Sequence, residues 1–214
     1  MNTTSAASVF NLIVLDESGS MEPVKAPTLT GFNEIVQTIQ GTQQQFPDQP
    51  QFITLVTFNG LGIKTLLDKQ PASQLTPLTS DQYRPDASTP LFDALGRSLL
   101  RLELQTENEI NPTVLVSILT DGDENASREF TGMAVRAIIE RLQSQGWSFT
   151  YMGANHAVEQ VAASMSIKTT VRFDHNEAGL KDLFARERKG RTAYYEKKRQ
   201  GMSSRDAEQD FFNQ

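Results

Sequence analysis

The stretch that decides the fold is Phe10-Asn-Leu-Ile-Val-Leu-Asp-Glu-Ser-Gly-Ser20. Its first six residues form a nearly continuous apolar run, which is typical of a strand buried on both faces of a parallel sheet. Asp16, Ser18 and Ser20 then alternate, so their oxygens can turn toward one point in the loop that leaves the strand. A carboxylate and two hydroxyls are hard ligands that suit Mg2+ better than zinc. The pattern also fits a polar loop in which Ser20 caps a helix.

A second buried-type strand, residues 114–120, also ends in acid, because Asp121 follows it directly. Between the two strands, Thr89 is a good helix N-cap, and a helix is predicted from there to about Gln105. In an open parallel sheet, ligands bind beyond the carboxyl ends of the strands. We therefore expect Asp16, Thr89 and Asp121 to meet at one edge of the sheet.

The order of strands and helices predicts the α/β class. Asn59-Gly60 is a strong hairpin signal, so the segment after it is predicted to run antiparallel to the strand before it. We expect a doubly wound, mostly parallel sheet with one antiparallel edge strand and helices on both faces. The remaining strands are predicted at 51–58, 61–67, 147–152 and 168–173. The remaining helices are predicted to end near Gln44, Gly146 and Met165, with a last one starting near Asn176. Candidate caps of the helix ending at Gly146 are Asn125, Ser127 and Thr131. The apolar stripe predicted for this helix includes Ala134, Ala137, Ile138 and Leu142.

Composition excludes several classes of function. The 214 residues carry a formal net charge of −6 and include no cysteine and two histidines. The charge gives no basic footprint for nucleic acid, and the missing cysteines exclude disulfides and thiolate zinc sites. No apolar run approaches the roughly 20 residues of a membrane span, and no signal peptide is recognised. We expect a cytoplasmic protein that binds neither nucleic acid nor membrane.

One domain with extensions fits this length. The predicted division is an N-terminal tail at 1–7, the α/β domain at 8–185 and a basic extension at 186–214, either helical or flexible. The charge run from Arg186 to Arg199 is interpreted as a solvated helix face or a frayed tail, with a partner-docking segment as the alternative. Phe211 and Phe212 are expected either to dock on the domain or to stay free.

Three separated segments together resemble the metal-ion-dependent adhesion site of von Willebrand factor type A domains. They are Asp16-Glu-Ser18-Gly-Ser20, Ser88-Thr89-Pro-Leu-Phe-Asp-Ala-Leu and Leu119-Thr120-Asp121-Gly. The chain is similar in particular to the compact single-domain bacterial members, through its Gly31-Phe32-Asn33 and Gly153-Ala154-Asn155 segments. The resemblance implies a Rossmann-like fold and a protein-interaction module without catalysis of its own.

The resemblance also implies a role for each residue of the site. Ser18 and Ser20 would be direct ligands, and Thr89 would be direct or water-mediated. Asp16 and Asp121 would act mainly through bound waters, although Asp121 coordinates directly in some states. The ion would be Mg2+, with Mn2+ or Ca2+ possible. One open coordination position would take an aspartate or glutamate of a partner protein.

Two other readings remain open. A phosphatase or phosphotransferase of the haloacid dehalogenase type also places an aspartate after a buried strand with Mg2+ nearby, but it needs a second aspartate at the position of Ser18. A metal-free structural domain of the same fold is the other alternative. Around the site, His156 is interpreted as structural or incidental, with a place on the rim of the site as the alternative. Asp93 is expected only to orient the rim. Glu17, Asp123 and Glu124 are expected to be solvated loop acids, with added negative charge around the ion as the alternative.

Overall fold

A six-stranded sheet forms the centre of the structure, a computed structural model that describes residues 7–154 and 157–213. The strand order is β3-β2-β1-β4-β5-β6, and every neighbouring pair is parallel except the antiparallel pair β2 and β3. The strands are β1 (Val9–Asp16), β2 (Gln51–Asn59), β3 (Gly62–Pro71), β4 (Thr113–Thr120), β5 (Ser148–Gly153) and β6 (Thr169–Arg172). The predicted mostly parallel sheet with one antiparallel edge strand is confirmed, and β3 extends beyond its predicted end to Pro71.

Helices cover both faces of this sheet. Alternate residues of β1 divide between two cores: Ile13 and Leu15 pack toward α1 and α5, whereas Leu12 and Val14 pack toward α2, α3 and α4. This alternation is the pleat of a strand buried on both sides. The helices are α1 (Lys25–Gln45), α2 (Leu91–Thr106), α3 (Gly132–Ser144), α4 (Val158–Ser164), α5 (Glu177–Arg199) and α6 (Ser204–Ala207), and a short 3-10 helix (Gly19–Val24) precedes α1. The predicted doubly wound architecture is therefore confirmed.

The strand order reverses between β1 and β4. The chain leaves β1 toward β2 on one side and returns to β4 on the other, and α1 and α3, which follow these strands, cover opposite faces. The register pairs Leu15 with Leu119, so Asp16 at the end of β1 lies beside the point where Asp121 follows β4. Such a reversal opens a crevice at the carboxyl ends of the strands.

The start of α2 differs from the prediction that Thr89 caps it. The helix begins at Leu91, and Pro90 occupies the N-cap position without a side-chain cap. The free N–H groups of its first turn are satisfied from another loop: Phe92 N donates to Glu124 Oε2 at 2.9 Å, and Asp93 N donates to Ser127 Oγ at 3.0 Å. Thr89 therefore does not cap α2.

The N-cap of α3, the helix after β4, is Thr131, one of the three predicted caps; its hydroxyl accepts from Ala134 N. The buried residues of α3 are Val135, Ile139 and Leu142, whereas Ala134 and Ala137 are exposed. The two alanines of the predicted stripe therefore lie outside the core, whereas Leu142 is buried as predicted. Val135 and Ile139 fill the core instead, because burying a larger apolar side chain gains more free energy than burying alanine.

A polar network crosses the sheet beneath α5. Arg191 is fully buried and lies over the middle of β1 and β4. Its guanidinium donates to Glu187 Oε1 at 2.7 Å, Asn11 Oδ1 at 2.7 Å, Ser117 Oγ at 2.8 Å and the Tyr195 hydroxyl at 3.0 Å. The interpretation of residues 186–199 as a solvated face or frayed tail is wrong for this part of the run. Arg191 is buried rather than solvated because Asn11 and Ser117 place oxygens on the buried face of the sheet. A planar guanidinium with five donors can satisfy these acceptors.

The C-terminal residues pack on the same face. Phe211 and Phe212 are buried, so the alternative in which they dock on the domain is the one observed. Gly190 permits this approach, because a Cβ there would lie 2.0 Å from the Phe211 carbonyl oxygen. Arg186 Nε donates to the Phe212 carbonyl at 3.0 Å. Since α5 also crosses position 185 without a break, the extension and the domain share one core; the predicted boundaries themselves stay a prediction.

The buried ion pair yields a stability prediction. Arg191→Ala should lower the free energy of unfolding by about 3 to 5 kcal/mol, because it leaves the Glu187 carboxylate buried without its cation. Glu187 Oε2 already has no hydrogen-bond partner among the described residues. The double variant Arg191→Met with Glu187→Leu should lose much less, since no charge remains. Urea unfolding measures both.

The matched control is Arg136→Ala, which breaks an i, i+4 pair with Glu140 of the same spacing, here exposed by about half on both side chains. Exposed pairs of this kind contribute about 0.3 to 0.5 kcal/mol. A loss for Arg191→Ala no larger than for the control would contradict the structural role of the buried pair.

A second prediction concerns pH. Burial raises the pKa of Glu208 from 4.5 to about 7, although its Oε2 accepts a hydrogen bond from Phe149 N at 3.3 Å. Between these two pH values Glu208 is protonated in the folded protein and ionised in the unfolded chain. The free energy of unfolding should therefore fall as the pH rises through this window. Glu208→Gln, which stays neutral, should lack that loss. Urea unfolding on both sides of the window compares the two proteins, and identical pH dependence would contradict the prediction.

Candidate metal centre

The loop that leaves β1 is fixed from inside the protein. Asp16 and Ser18 are buried, and Asp16 Oδ1 accepts from Ser18 N at 2.7 Å. The Tyr83 hydroxyl donates to the Asp16 carbonyl at 2.6 Å from the long connection between β3 and α2. Ser18 Oγ and Ser20 Oγ lie 3.1 Å apart. The predicted turn of Asp16, Ser18 and Ser20 toward one point is thus present.

Two side-chain contacts connect this loop with the end of β4. The Ser20 hydroxyl donates to Asp121 Oδ1 at 2.7 Å. Thr120 Oγ1, on the last residue of β4, donates to Asp16 Oδ2 at 2.5 Å. The parallel pairing of β1 and β4 therefore continues as side-chain contacts beyond the ends of both strands.

Thr89 reaches the same place from the segment before α2. Its backbone N–H donates to Asn125 Oδ1 at 2.9 Å, and Asn125 N donates to the Thr89 carbonyl at 3.2 Å. A Cβ built on Gly122 would lie 3.2 Å from Thr89 Oγ1, 3.8 Å from Ser20 Oγ and 3.9 Å from Asp16 Oδ2. Oxygens from the three predicted segments thus surround one small space beside a residue without a side chain.

The donors in this space fit a hard divalent cation. Two carboxylates balance the charge of such an ion, and three hydroxyls add neutral oxygen ligands. Among residues 7–154 and 157–213, no three acidic or histidine side chains gather as a metal cluster. This centre would therefore rely on hydroxyls, and Gly122 leaves open the space that a side chain would otherwise fill.

The electrostatics also favour a cation. Burial raises the pKa of Asp16 from 3.8 to about 6, the neighbouring Asp121 adds to the rise, and hydrogen bonds from Thr120 and Ser18 oppose it. Desolvation disfavours a charged carboxylate, whereas a cation nearby favours it. An ion placed between Asp16 and Asp121 would therefore stabilise both carboxylates.

Two of the three acids predicted to be solvated instead hold loops in place. Glu17 is fully buried; its Oε1 accepts from Arg84 N at 2.6 Å, and its Oε2 lies 3.3 Å from Lys64 Nζ. Glu124 Oε1 accepts from the backbone N–H groups of residues 126 and 127. For these two side chains the prediction is wrong, because backbone donors replace water. Asp123 is exposed.

Asp93 orients the rim, as expected. It accepts three backbone hydrogen bonds, from Arg128, Glu129 and Phe130, at 2.8 to 2.9 Å. Partial burial would raise the pKa of Asp93, but these three donors outweigh it and lower the pKa. His156, the other rim candidate, lies outside the described residues.

Sequence reasoning missed His175, which belongs to the connection between β6 and α5. Its Nε2 lies 2.7 Å from Asp121 Oδ2, and one third of its side chain is exposed. A lone histidine 54 positions after the aspartate carries no local signal, so only the fold reveals the contact. Tyr83 and Asn125 were likewise given no role at the site, since both act through backbone atoms of other segments.

Comparison with known proteins settles the family, because the family model of the von Willebrand factor type A domain matches residues 12–186. The chain belongs to the von Willebrand factor type A (VWA) domain family. The match covers most of the chain and includes the three segments that carried the resemblance. VWA domains are protein-interaction modules, and the resemblance inferred from the sequence is confirmed at this level.

Solved structures support the VWA fold. The VWA domain of SpRpn10 aligns with a TM-score of 0.57 at 10% identity, over 85% of this chain and 95% of that one. The SpaC pilus adhesin of Lactobacillus rhamnosus GG aligns with a TM-score of 0.59 at 15% identity, over 86% and 30%. Proximal thread matrix protein 1 of the mussel byssus aligns with a TM-score of 0.55 at 16% identity, over 85% and 45%. The chain thus spans less than half of the last two proteins, and at these identities the likeness concerns the fold alone.

Two further comparisons add limits. No curated protein matches the sequence well enough to extend these findings. Within the described part of the chain, none of the helices combines the length and apolar character needed to cross a membrane.

The space beside Gly122 yields a prediction. Gly122→Ala should weaken the Mg2+ binding expected at this centre, because its Cβ would crowd Thr89 Oγ1, while the backbone conformation of Gly122 gives no reason for misfolding. Isothermal titration calorimetry measures the affinity. The matched control is Gly41→Ala in the C-terminal part of α1, where a Cβ meets nothing within 4 Å. This control should raise stability by about 0.5 to 1 kcal/mol and leave the affinity unchanged. Equal affinities in the two variants would contradict the proposed position of the ion.

Proposed function

We propose that this VWA domain binds one divalent cation through Asp16, Ser18, Ser20, Thr89 and Asp121, and uses it to hold a carboxylate of a partner protein. The observation that carries the proposal is the convergence of oxygens from three separated segments around Gly122 at the carboxyl edge of the sheet. Mg2+ is the first candidate, because it favours oxygen ligands and keeps several waters; Mn2+ or Ca2+ would use the same donors.

The family pattern gives these residues a division of labour that fits their surroundings. Ser18, Ser20 and Thr89 would offer neutral oxygens to the ion. Asp16 and Asp121 would act mainly through water; Thr120 contacts one oxygen of Asp16, and His175 contacts one oxygen of Asp121. The ion supplies Lewis acidity and one exchangeable position, and an aspartate or glutamate of the partner is the ligand that its charge favours.

The exposure of the donors indicates where a partner would approach. Asp16, Ser18 and Thr89 are buried, whereas Ser20 is exposed. A partner carboxylate would therefore approach past Ser20. Metal and partner would then strengthen each other's binding by the same factor.

We propose that the domain has no catalytic activity. A phosphotransferase of the haloacid dehalogenase type would need a general acid at position 18, and the residue there is Ser18. The absence of cysteine fits a cytoplasmic setting, which belongs to the same proposal.

Titration of Mg2+, Mn2+ and Ca2+ into the purified protein tests the metal site. The wild type should take up one ion, and Asp16→Asn should lose this binding while keeping the fold, because the change is nearly isosteric. The control is Asp81→Asn, which removes one acid whose side chain is 87% exposed. Binding that is absent from the wild type would favour the metal-free alternative, and binding that survives Asp16→Asn would place the ion elsewhere.

Thr89→Ala separates metal binding from partner binding. The partner is first captured from cell extract with Mg2+ and released with chelator, and its affinity is then measured at saturating Mg2+ and in EDTA. Thr89→Ala should weaken partner binding more than Mg2+ affinity, since the family pattern makes Thr89 the ligand that switches between indirect and direct coordination. Equal partner affinity in all four conditions would show that the partner does not use this centre.

A further inference from the structure

We propose that His175 is a positioning residue of the metal centre, which holds one oxygen of Asp121 so that the other faces Ser20 and the ion. This inference rests on the proposed function and extends it to a residue outside the three motif segments. It starts from the contact of His175 Nε2 with Asp121 Oδ2 at 2.7 Å.

The two oxygens of Asp121 have different partners. Oδ1 accepts from the Ser20 hydroxyl at 2.7 Å, on the side of the other proposed ligands. Oδ2 faces His175, on the side of the β6–α5 connection. The terminal torsion of an aspartate is broad and roughly two-fold, so a single contact leaves the carboxylate free to turn. Contacts at both oxygens fix its plane.

The backbone around His175 is itself held in place. Phe173 N donates to the Gly153 carbonyl at 2.9 Å, which ties the connection to the end of β5. On the other side, Asn176 N donates to the Asp174 carbonyl at 2.7 Å, and the Asn176 side chain caps α5 through Gly179 N at 2.8 Å. The imidazole therefore extends from a turn that is fixed on both sides. A supporting residue on such a turn can hold a ligand within the tolerance that a metal site requires.

The other carboxylate of the centre is held in a comparable way. Thr120 Oγ1 donates to Asp16 Oδ2 at 2.5 Å, while Asp16 Oδ1 accepts from Ser18 N. Each acid of the centre therefore has an outer contact, Thr120 for Asp16 and His175 for Asp121. The two contacting residues differ in burial, because Thr120 lies in the core and one third of the His175 side chain is exposed.

This difference in burial separates a positioning role from a structural one. Removing a side chain that is one-third exposed opens no core cavity, so the fold should survive the loss of His175. Loss of an outer residue that orients a ligand typically costs 10- to 100-fold in metal affinity. His175 should therefore matter for metal affinity far more than for folding.

The test is calorimetric titration of Mg2+ into the wild type, His175→Ala, His175→Gln and Asp174→Asn, with thermal unfolding of each protein in EDTA. His175→Ala should bind Mg2+ about tenfold more weakly, at the low end of the range because the side chain is partly exposed. His175→Gln should recover most of that loss, since its amide N–H can reach Asp121 as Nε2 does. Asp174→Asn, a change at the preceding exposed position of the same turn, should bind as the wild type does. All four should unfold at nearly the same temperature in EDTA.

The outcomes distinguish this inference from the function on which it rests. Wild-type affinity in His175→Ala would overturn the role of His175 and leave the metal site intact. Weakened binding that His175→Gln does not recover, together with a lower unfolding temperature in EDTA, would also overturn it, because the residue would then be structural. Absence of Mg2+ binding by the wild type would overturn both proposals.

Discussion

Parallel pairing of β1 with β4 is the constraint on which the rest of the structure depends. It places Asp16 beside the start of the loop that carries Asp121, and the register is fixed by seven paired residues along the two strands. Thr120 and Ser20 then join the two strand ends through side-chain hydrogen bonds. A slip of one residue would turn the buried side chains of β1 to the opposite face and separate these groups. The geometry of the centre is thus determined by the core beneath it.

That core contains a buried ion pair, formed by Arg191 and Glu187. Ion pairs of this kind seldom add net stability, because the cost of removing both charges from water is close to the gain from their attraction. The pair matters here because of where Arg191 lies: Asn11 and Ser117, on neighbouring strands, accept hydrogen bonds from its guanidinium. An apolar contact could slide along the sheet, whereas the two directed hydrogen bonds from Arg191 to Asn11 and Ser117 select one placement of α5.

The sequence predicted the structure well where the residues of the site directly follow a recognisable strand pattern. The apolar runs of β1 and β4 end in the residues proposed to bind the ion, so the strands, the edge of the sheet and the meeting of Asp16, Thr89 and Asp121 were all predictable. Contacts between distant segments were not. Thr89 satisfies every local rule for a helix cap, yet Glu124 and Ser127 supply the cap from another loop. The charge of Arg191 suggested solvent, because its buried acceptors are 74 and 180 positions away.

The division between fixed and exchangeable groups explains how such a centre can be both rigid and open. The backbone around it is held by side chains that do not face the ion, including Tyr83 at Asp16, Asn125 at Thr89 and Asp93 at residues 128–130. The hydroxyls that do face it bind one another or Asp121 through contacts that an ion could replace without moving the chain. Because the backbone is already ordered, binding of the proposed ion would cost little conformational entropy, and more of the interaction free energy would remain for affinity. Ser20, the exposed member of this set, is where that rigid arrangement meets solvent.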